Sequence, residues 1–245
     1  MRHRVFFLLL LAAAAAGAEI PLAERRSGYE FMGRETRAMQ DDEITGPAAL
    51  WLLDGEALWK GNCAGCHASG MRGVAARYPA FDPSRARPVN LEQRINACRV
   101  ERQKAPAFAY ESRELLALSA YIGRQSRGQP IADVLNEKTK PFVDAGRATF
   151  FRRQGQLNLA CTQCHDDNWG KKLAGNPIPQ AHPTGYPIYR LEWQGMGSLQ
   201  RRLRNCMVGL RAEPYAYGSA EFVNLELYLM WRARGMKLET PAVRP

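Results

Sequence analysis

Residues 161–165 read Cys161-Thr-Gln-Cys164-His165, and the next cysteine after them stands at the end of Leu199-Gln-Arg-Arg202-Leu-Arg-Asn-Cys206. C-x-x-C-H is the attachment signature of a c-type haem: two thiols add across the vinyl groups and the following imidazole reaches the iron. The spacing suits one turn of helix, which sets both sulfurs on adjacent edges of a macrocycle while the histidine turns beneath its face. Residues 63–67 repeat the pattern as Cys63-Ala-Gly-Cys66-His67. A single C-x-x-C is equally at home in a redox or zinc pair, but two complete copies, each closed by histidine, select haem.

The chain has 245 residues, 46% of them apolar, which supports one or two folded domains with ordinary cores. Residues 1–18 read as a secretory signal peptide: Arg2, His3 and Arg4, an apolar run from Val5 to Ala16, and Ala16-Gly17-Ala18 as a cleavage site. The run is too short for a comfortable membrane span, and no later stretch approaches that length. Export agrees with covalent haem, which is fitted outside the cytoplasm, so a periplasmic location is expected. Without the leader 32 basic residues face 24 acidic ones, a net charge of about eight positive. An exported haem protein meets no nucleic acid, so small anions and acidic proteins are the expected partners.

Of six cysteines, the two motifs use Cys63, Cys66, Cys161 and Cys164, leaving Cys98 and Cys206. Of four histidines, His3 leaves with the leader and only His182 is unassigned. A Cys98–Cys206 disulfide is the plain alternative in an exported protein. An internal repeat speaks against it, because Leu91–Val100 aligns without gaps on Leu199–Val208 and places each cysteine in its own half. After one gap Ala109-Tyr110, Glu114, Leu118 and Tyr121 match Ala216-Tyr217, Glu221, Leu225 and Tyr228.

The fold expected is all-α: two cytochrome c-like haem domains from internal duplication, over residues 19–130 and 131–245, with long Gly/Pro-rich loops. Residues 19–50 read as an extension wrapped on the first module, with a helix around Gly33 to Asp41. Helical spacing leads from Leu50 into the first motif and from Phe142 to Phe151 towards the second. The cysteine helices start at Asn90, with Gln93 completing a capping box, and at Ser198. Last helices follow over Ser112–Arg124 and Ser219–Arg234, and a short extended stretch over Tyr186–Trp193.

Each iron wants a sixth ligand. Met71 follows its motif too closely to cross the ring, Met196, Met207 and Met230 have no methionine at the repeat positions, and His182 has no counterpart. Cysteine fits both halves: His67 with Cys98 in the first, His165 with Cys206 in the second. Thiolate ligation lowers the potential and fills both axial positions, which disfavours a high-potential relay and oxygen activation alike. Leu199, Leu203 and Cys206 share a helix face, with Arg202 one turn before the cysteine. Arg190, Arg201, Arg202, Arg204 and Arg211 flank it. Most read as solvated surface, while Arg202 suits an oxyanion, although its repeat mate Arg94 suits a haem propionate as well.

With these residues the chain resembles the SoxA family, the dihaem subunits of SoxAX cytochromes. The likeness rests on both C-x-x-C-H motifs, Gly185-Tyr-Pro-Ile-Tyr-Arg-Leu-Glu-Trp-Gln194 and Arg202-x-x-x-Cys206. It implies an L-cysteine S-thiosulfotransferase with two covalent haem c groups. In that reading His165 and Cys206 bind the active-site iron, His67 and Cys98 the other. Cys206 is then a cysteine persulfide intermediate and Arg202 a substrate ligand. The implied partners are a SoxX-like monohaem cytochrome, a SoxYZ-like sulfur carrier, thiosulfate and a downstream acceptor cytochrome. The alternative is a periplasmic dihaem electron-transfer cytochrome without sulfur chemistry. A dihaem peroxidase would need an open or displaceable histidine site and a longer chain.

Overall fold

The computed structural model describes residues 20–245. The expected leader lies outside the described residues. The first half runs α1 (Arg34–Asp41), α2 (Ala49–Asn62), a series of turns through the first motif, β1 (Ala80–Asp82), β2 (Arg87–Val89), α3 (Leu91–Glu101) and α4 (Arg113–Arg124). The second runs α5 (Lys140–Phe151), α6 (Cys161–His165), β3 (Lys172–Leu173), β4 (Asn176–Pro177), β5 (Ile188–Arg190), β6 (Gly195–Gly197), α7 (Leu199–Gly209), α8 (Ala220–Arg232) and β7 (Ala242–Arg244).

The helix starts are dictated locally. Asn90 accepts from the Gln93 backbone N–H at 2.9 Å while Gln93 accepts from that of Asn90 at 3.3 Å, a complete capping box. At the start of α7 the Ser198 hydroxyl accepts from the Arg201 N–H at 3.1 Å. Ser112 and Ser219 cap α4 and α8 in the same way. The helix expected near Gly33–Asp41 forms as α1, and the extended stretch after Tyr186 forms as β5.

In each half the helix entering the motif crosses the last helix at a glycine. A Cβ on Gly55 of α2 would lie 2.2 Å from the Ala117 carbonyl oxygen of α4; one on Gly146 of α5 would lie 2.0 Å from that of Asn224 in α8. Neither site has room for a side chain, so the two backbones touch. Phe150, Leu225, Leu227, Tyr228 and Leu229 bury the second crossing. Trp59, Ile95, Leu115, Leu118 and Ile122 bury the first, each aliphatic side chain contributing roughly 1.5–3 kcal/mol.

The modules are not separate beads. Ile131, Met230, Ala233 and Leu238 complete the core of the first module. The connecting stretch is laced to the C-terminal segment by backbone bonds from Ile131 to Met236, Gly235 to Ile131 and Leu238 to Gln129, at 2.8–2.9 Å. The N-terminal extension also departs from expectation. Instead of wrapping the first module, it docks largely on the second: the Arg26 N–H donates to Gln180 at 2.7 Å, and Gln40 accepts from the Val243 N–H at 3.1 Å. The physical reason is a sheet edge: β7 pairs in parallel with β5, and Gln40 of α1 satisfies a donor that strand leaves open.

A hairpin precedes each cysteine helix. β1 and β2 pair as Ala80↔Val89, Phe81↔Pro88 and Asp82↔Arg87. β5 and β6 pair as Ile188↔Gly197, Tyr189↔Met196 and Arg190↔Gly195. Val89 and Gly197 each stand directly before an N-cap, so the duplication extends backwards through the hairpins to Tyr78-Pro79 and Tyr186-Pro187.

Candidate functional site

The second motif is built on α6. Gln163 accepts from the Ala160 N–H at 2.8 Å and the Asp166 N–H donates to the Thr162 carbonyl at 2.8 Å, which closes the short turn. The His165 Nδ1 lies 2.6 Å from the Pro179 carbonyl oxygen. A carbonyl only accepts, so Nδ1 carries the hydrogen and Nε2 presents its lone pair, the arrangement that orients metal-ligating histidines. The imidazole is within hydrogen-bonding reach of the Cys206 thiol, and Cys161 and Cys164 both feel the charge of Cys206. Three sulfurs and an imidazole therefore converge between α6 and α7.

Burial by itself would push the Cys206 thiol up. The neighbouring His165 ring and the positive charges of Arg202 and Arg190 outweigh it, and the thiol is held below the ordinary value. Surroundings that favour the ionised form of a soft sulfur suit it to a metal and to sulfur exchange.

The first module gathers the same groups. Cys63, His67 and Cys98 line one cavity of about 340 Å³, walled by Trp59, Leu91, Ile95 and Leu118. Burial pushes the Cys63 thiol up, and the nearby Cys98 adds to the effect. All six cysteines are free, so the Cys98–Cys206 disulfide does not form and each sulfur stays in its own half.

The donor sets fit haem c. Beyond the sulfurs and histidines, two N–H donors, Arg94 Nε in the first cavity and the Trp231 indole against the second core, are buried without partners. Orphaned polar groups beside an apolar cradle fit the carboxylates of a porphyrin. Met196 and Met230 are absorbed in cores away from α6, and Met207 is buried. Met71 lines the first cavity together with Cys63, His67 and Cys98.

Arg202 stands where the helix wheel puts it, and no carboxylate lies within ion-pair distance of it among the described residues. A separate cavity of about 110 Å³ is lined by Arg202, Arg190, Arg244, Tyr186, His182 and Pro179. Arg190 departs from its expected place. Arg190 is no solvated arginine: it is 7% exposed, pairs with Glu192 at 2.7 Å and packs over Trp193. His182, left without a role by the repeat, is buried in the loop that lines this cavity: its ring is held 3.1 Å from the Arg26 carbonyl oxygen, and burial brings its pKa down to about 4. The signal that finds Arg190 is the second Tyr-Pro, which continues the repeat beyond the cysteine helices.

No helix among the described residues is long and apolar enough to cross a membrane. The cytochrome c domain model of the SoxA/TsdA family matches residues 54–131 and 145–238. The chain is 36% identical over 242 residues to the L-cysteine S-thiosulfotransferase subunit SoxA of Pseudaminobacter salicylatoxidans, covering 94% of this chain and 85% of the relative. It is 33% identical to the protein of the same name from Rhodovulum sulfidophilum, over 90% of this chain and 80% of that one. The crystal structure of SoxXA from P. pantotrophus superposes with a TM-score of 0.85 at 31% identity, covering 90% of this chain and 87% of the other. With the helical crossings, the duplicated C-x-x-C-H units and the thiol facing the second histidine, these likenesses place the chain in the SoxA family of covalent haem c proteins.

Proposed function

We propose that this chain is the SoxA subunit of a periplasmic L-cysteine S-thiosulfotransferase that joins thiosulfate to a cysteine of a SoxYZ-like sulfur carrier. It carries two haem c groups and works with a SoxX-like monohaem cytochrome. The overall change is balanced: the carrier S–H bond breaks, an S–S bond to the sulfane sulfur of thiosulfate forms, and one proton and two electrons leave. The product is a carrier cysteine S-thiosulfonate. The electrons pass to the partner cytochrome and then to a downstream acceptor.

The chain's own residues divide this work. Cys206 and His165 would hold the iron of the second haem, and Cys206 would carry the sulfur intermediate as a persulfide. His165 is oriented by the Pro179 carbonyl, which leaves the Nε2 lone pair available to an iron. Arg202, without a carboxylate partner, binds the sulfonate end. Cys63, Cys66, Cys161 and Cys164 anchor the two porphyrins, with His67 and Cys98 binding the first iron. Bound haem supplies the one-electron acceptor and the Lewis-acidic metal, and cysteine ligation keeps its potential low.

One observation carries this reading: Cys206 lies against His165 and Arg202 in the folded chain, although forty-one residues separate the two ligands in sequence. A haem ligated only for electron transfer has no need of an unpaired arginine beside its sulfur. The test is Cys206→Ala in the haem-loaded complex, with mass spectrometry of Cys206 in the unmutated protein. Loss of thiosulfate-dependent carrier modification and an added sulfur on Cys206 are expected. Carrier modification at the unmutated rate in Cys206→Ala would leave only the electron carrier.

A further inference from the structure

The two modules differ at one repeat position in a way that converts a closed ion pair into an anion site. In the first module Asp82, at the end of β1, is 2% exposed and pairs with Arg94 of α3 at 3.1 Å. The hairpin registers and the gapless repeat put Arg190 at the position of Asp82, and Arg202 at that of Arg94. The same backbone that brings a carboxylate to an arginine in one module therefore brings an arginine to an arginine in the other. Both arginines line the cavity of about 110 Å³, and both are near enough to the Cys206 thiol for their charge to act on it.

Two guanidinium groups brought together by a fold repel unless something negative joins them. Glu192 supplies one carboxylate to Arg190 from a largely exposed position, and Glu239 takes up Arg244 at 3.0 Å. Arg202 has no such partner, and Arg190 Nε is buried without a hydrogen bond. The cavity walls thus keep one buried N–H donor and one full guanidinium unspent. A volume of about 110 Å³ admits a small oxyanion and excludes a macrocycle.

We propose that Arg190 is a second anion-binding residue, which with Arg202 clamps the sulfonate oxygens of the substrate in the cavity beside Cys206. The inference rests on the thiosulfate reading above and adds the residue that selects for a divalent oxyanion. It also accounts for the asymmetry of the duplication: the first module neutralises its own arginine with Asp82, and the second leaves that task to the substrate.

The experiment uses the haem-loaded complex and Arg190→Asp, Arg190→Lys and Glu192→Gln. Arg190→Asp places a carboxylate where the first module already accommodates one against arginine, so the local pairing is compatible with folding. Two readouts are taken: calorimetric titration with sodium sulfate at fixed ionic strength, and the KM and kcat for thiosulfate. Arg190→Asp is expected to weaken sulfate binding and raise KM by about tenfold or more, the loss of one charge-assisted contact, with kcat far less affected. Arg190→Lys retains most of the binding, and Glu192→Gln leaves it unchanged or tighter because the guanidinium is freed. Unchanged sulfate binding in Arg190→Asp overturns the proposal, as does Glu192→Gln weakening binding as much as Arg190→Asp, which would make Arg190 a structural partner of Glu192. Should Arg190→Asp fail to accumulate, sulfate binding by Arg190→Gln decides in the same way. If the unmutated complex does not modify the carrier with thiosulfate, the enzymatic reading fails, while the sulfate titrations still judge Arg190.

Discussion

Asp82 accepts an ion pair from Arg94 at 3.1 Å and another from Arg85 at 2.8 Å, and Ser84 donates its hydroxyl to the same carboxylate at 2.6 Å. The Ser84 hydrogen bond, then Arg85 and Arg94, outweigh burial and hold this carboxyl down at about 2. A depressed carboxylate contributes stability that is present above its unfolded value and lost as pH falls through the folded one. Acid unfolding monitored by circular dichroism should therefore show a component between about pH 4 and pH 2 that Asp82→Ala lacks. At neutral pH the same variant should lose about 1–3 kcal/mol, because two arginines lose their buried partner.

Glu92 of α3 and Glu226 of α8 face one another in a small cavity at the seam of the modules, lined also by Tyr78, Leu91 and Tyr186. Burial raises both carboxyls; Glu111 adds to Glu92, and Glu92 adds to Glu226, against weak lowering by Gln200 and Asn90. A carboxyl raised on folding stabilises the protein fully below its unfolded pKa, and that contribution disappears as pH rises through the folded value. Urea melts of the haem-loaded protein should give falling stability from weakly acid to weakly alkaline pH. Glu226→Gln should flatten that slope, and an equal slope in the variant would show that the pair is not its source.

The contact of Gly146 with the Asn224 carbonyl leaves no room for a methyl group. Gly146→Ala gains helix propensity but must push α5 off α8, and the net effect should be a loss of about 1–3 kcal/mol. Gly61, at the exposed end of α2 with nothing within 4 Å of its missing Cβ, is the matched control. Gly61→Ala should be neutral or slightly stabilising in the same thermal melts.

In the haem-loaded protein Cys206→Met would replace the proposed thiolate ligand by a neutral thioether at the same helix position. Thioether ligation favours the reduced iron, so the midpoint potential of one haem should rise in a spectroelectrochemical titration while the other stays in place. Carrier modification should disappear together with the low potential. A potential unmoved by the substitution would show that this sulfur is not on iron.

Much of this protein is legible in its amino-acid order, because its chemistry is carried by short-range signals. Two thiols and an imidazole within five residues attach a porphyrin whatever surrounds them, and Asn90, Ser112, Ser198 and Ser219 start helices by bonds to the residue three positions on. The repeat then assigns Cys98 and Cys206 to separate halves. What only tertiary structure decided is where long, charged side chains and the N-terminal extension go. Arg190 and Arg211 look alike as letters, yet one is buried against Trp193 and the other exposed, since a strand position in β5 faces the cavity and a loop position does not. Residues 20–41 settle on the second module because β7 offers unsatisfied backbone groups there, and Glu92 meets Glu226 only because the two copies share a seam. Such pairings depend on contacts between residues more than a hundred positions apart, and no local pattern encodes the field that those contacts create.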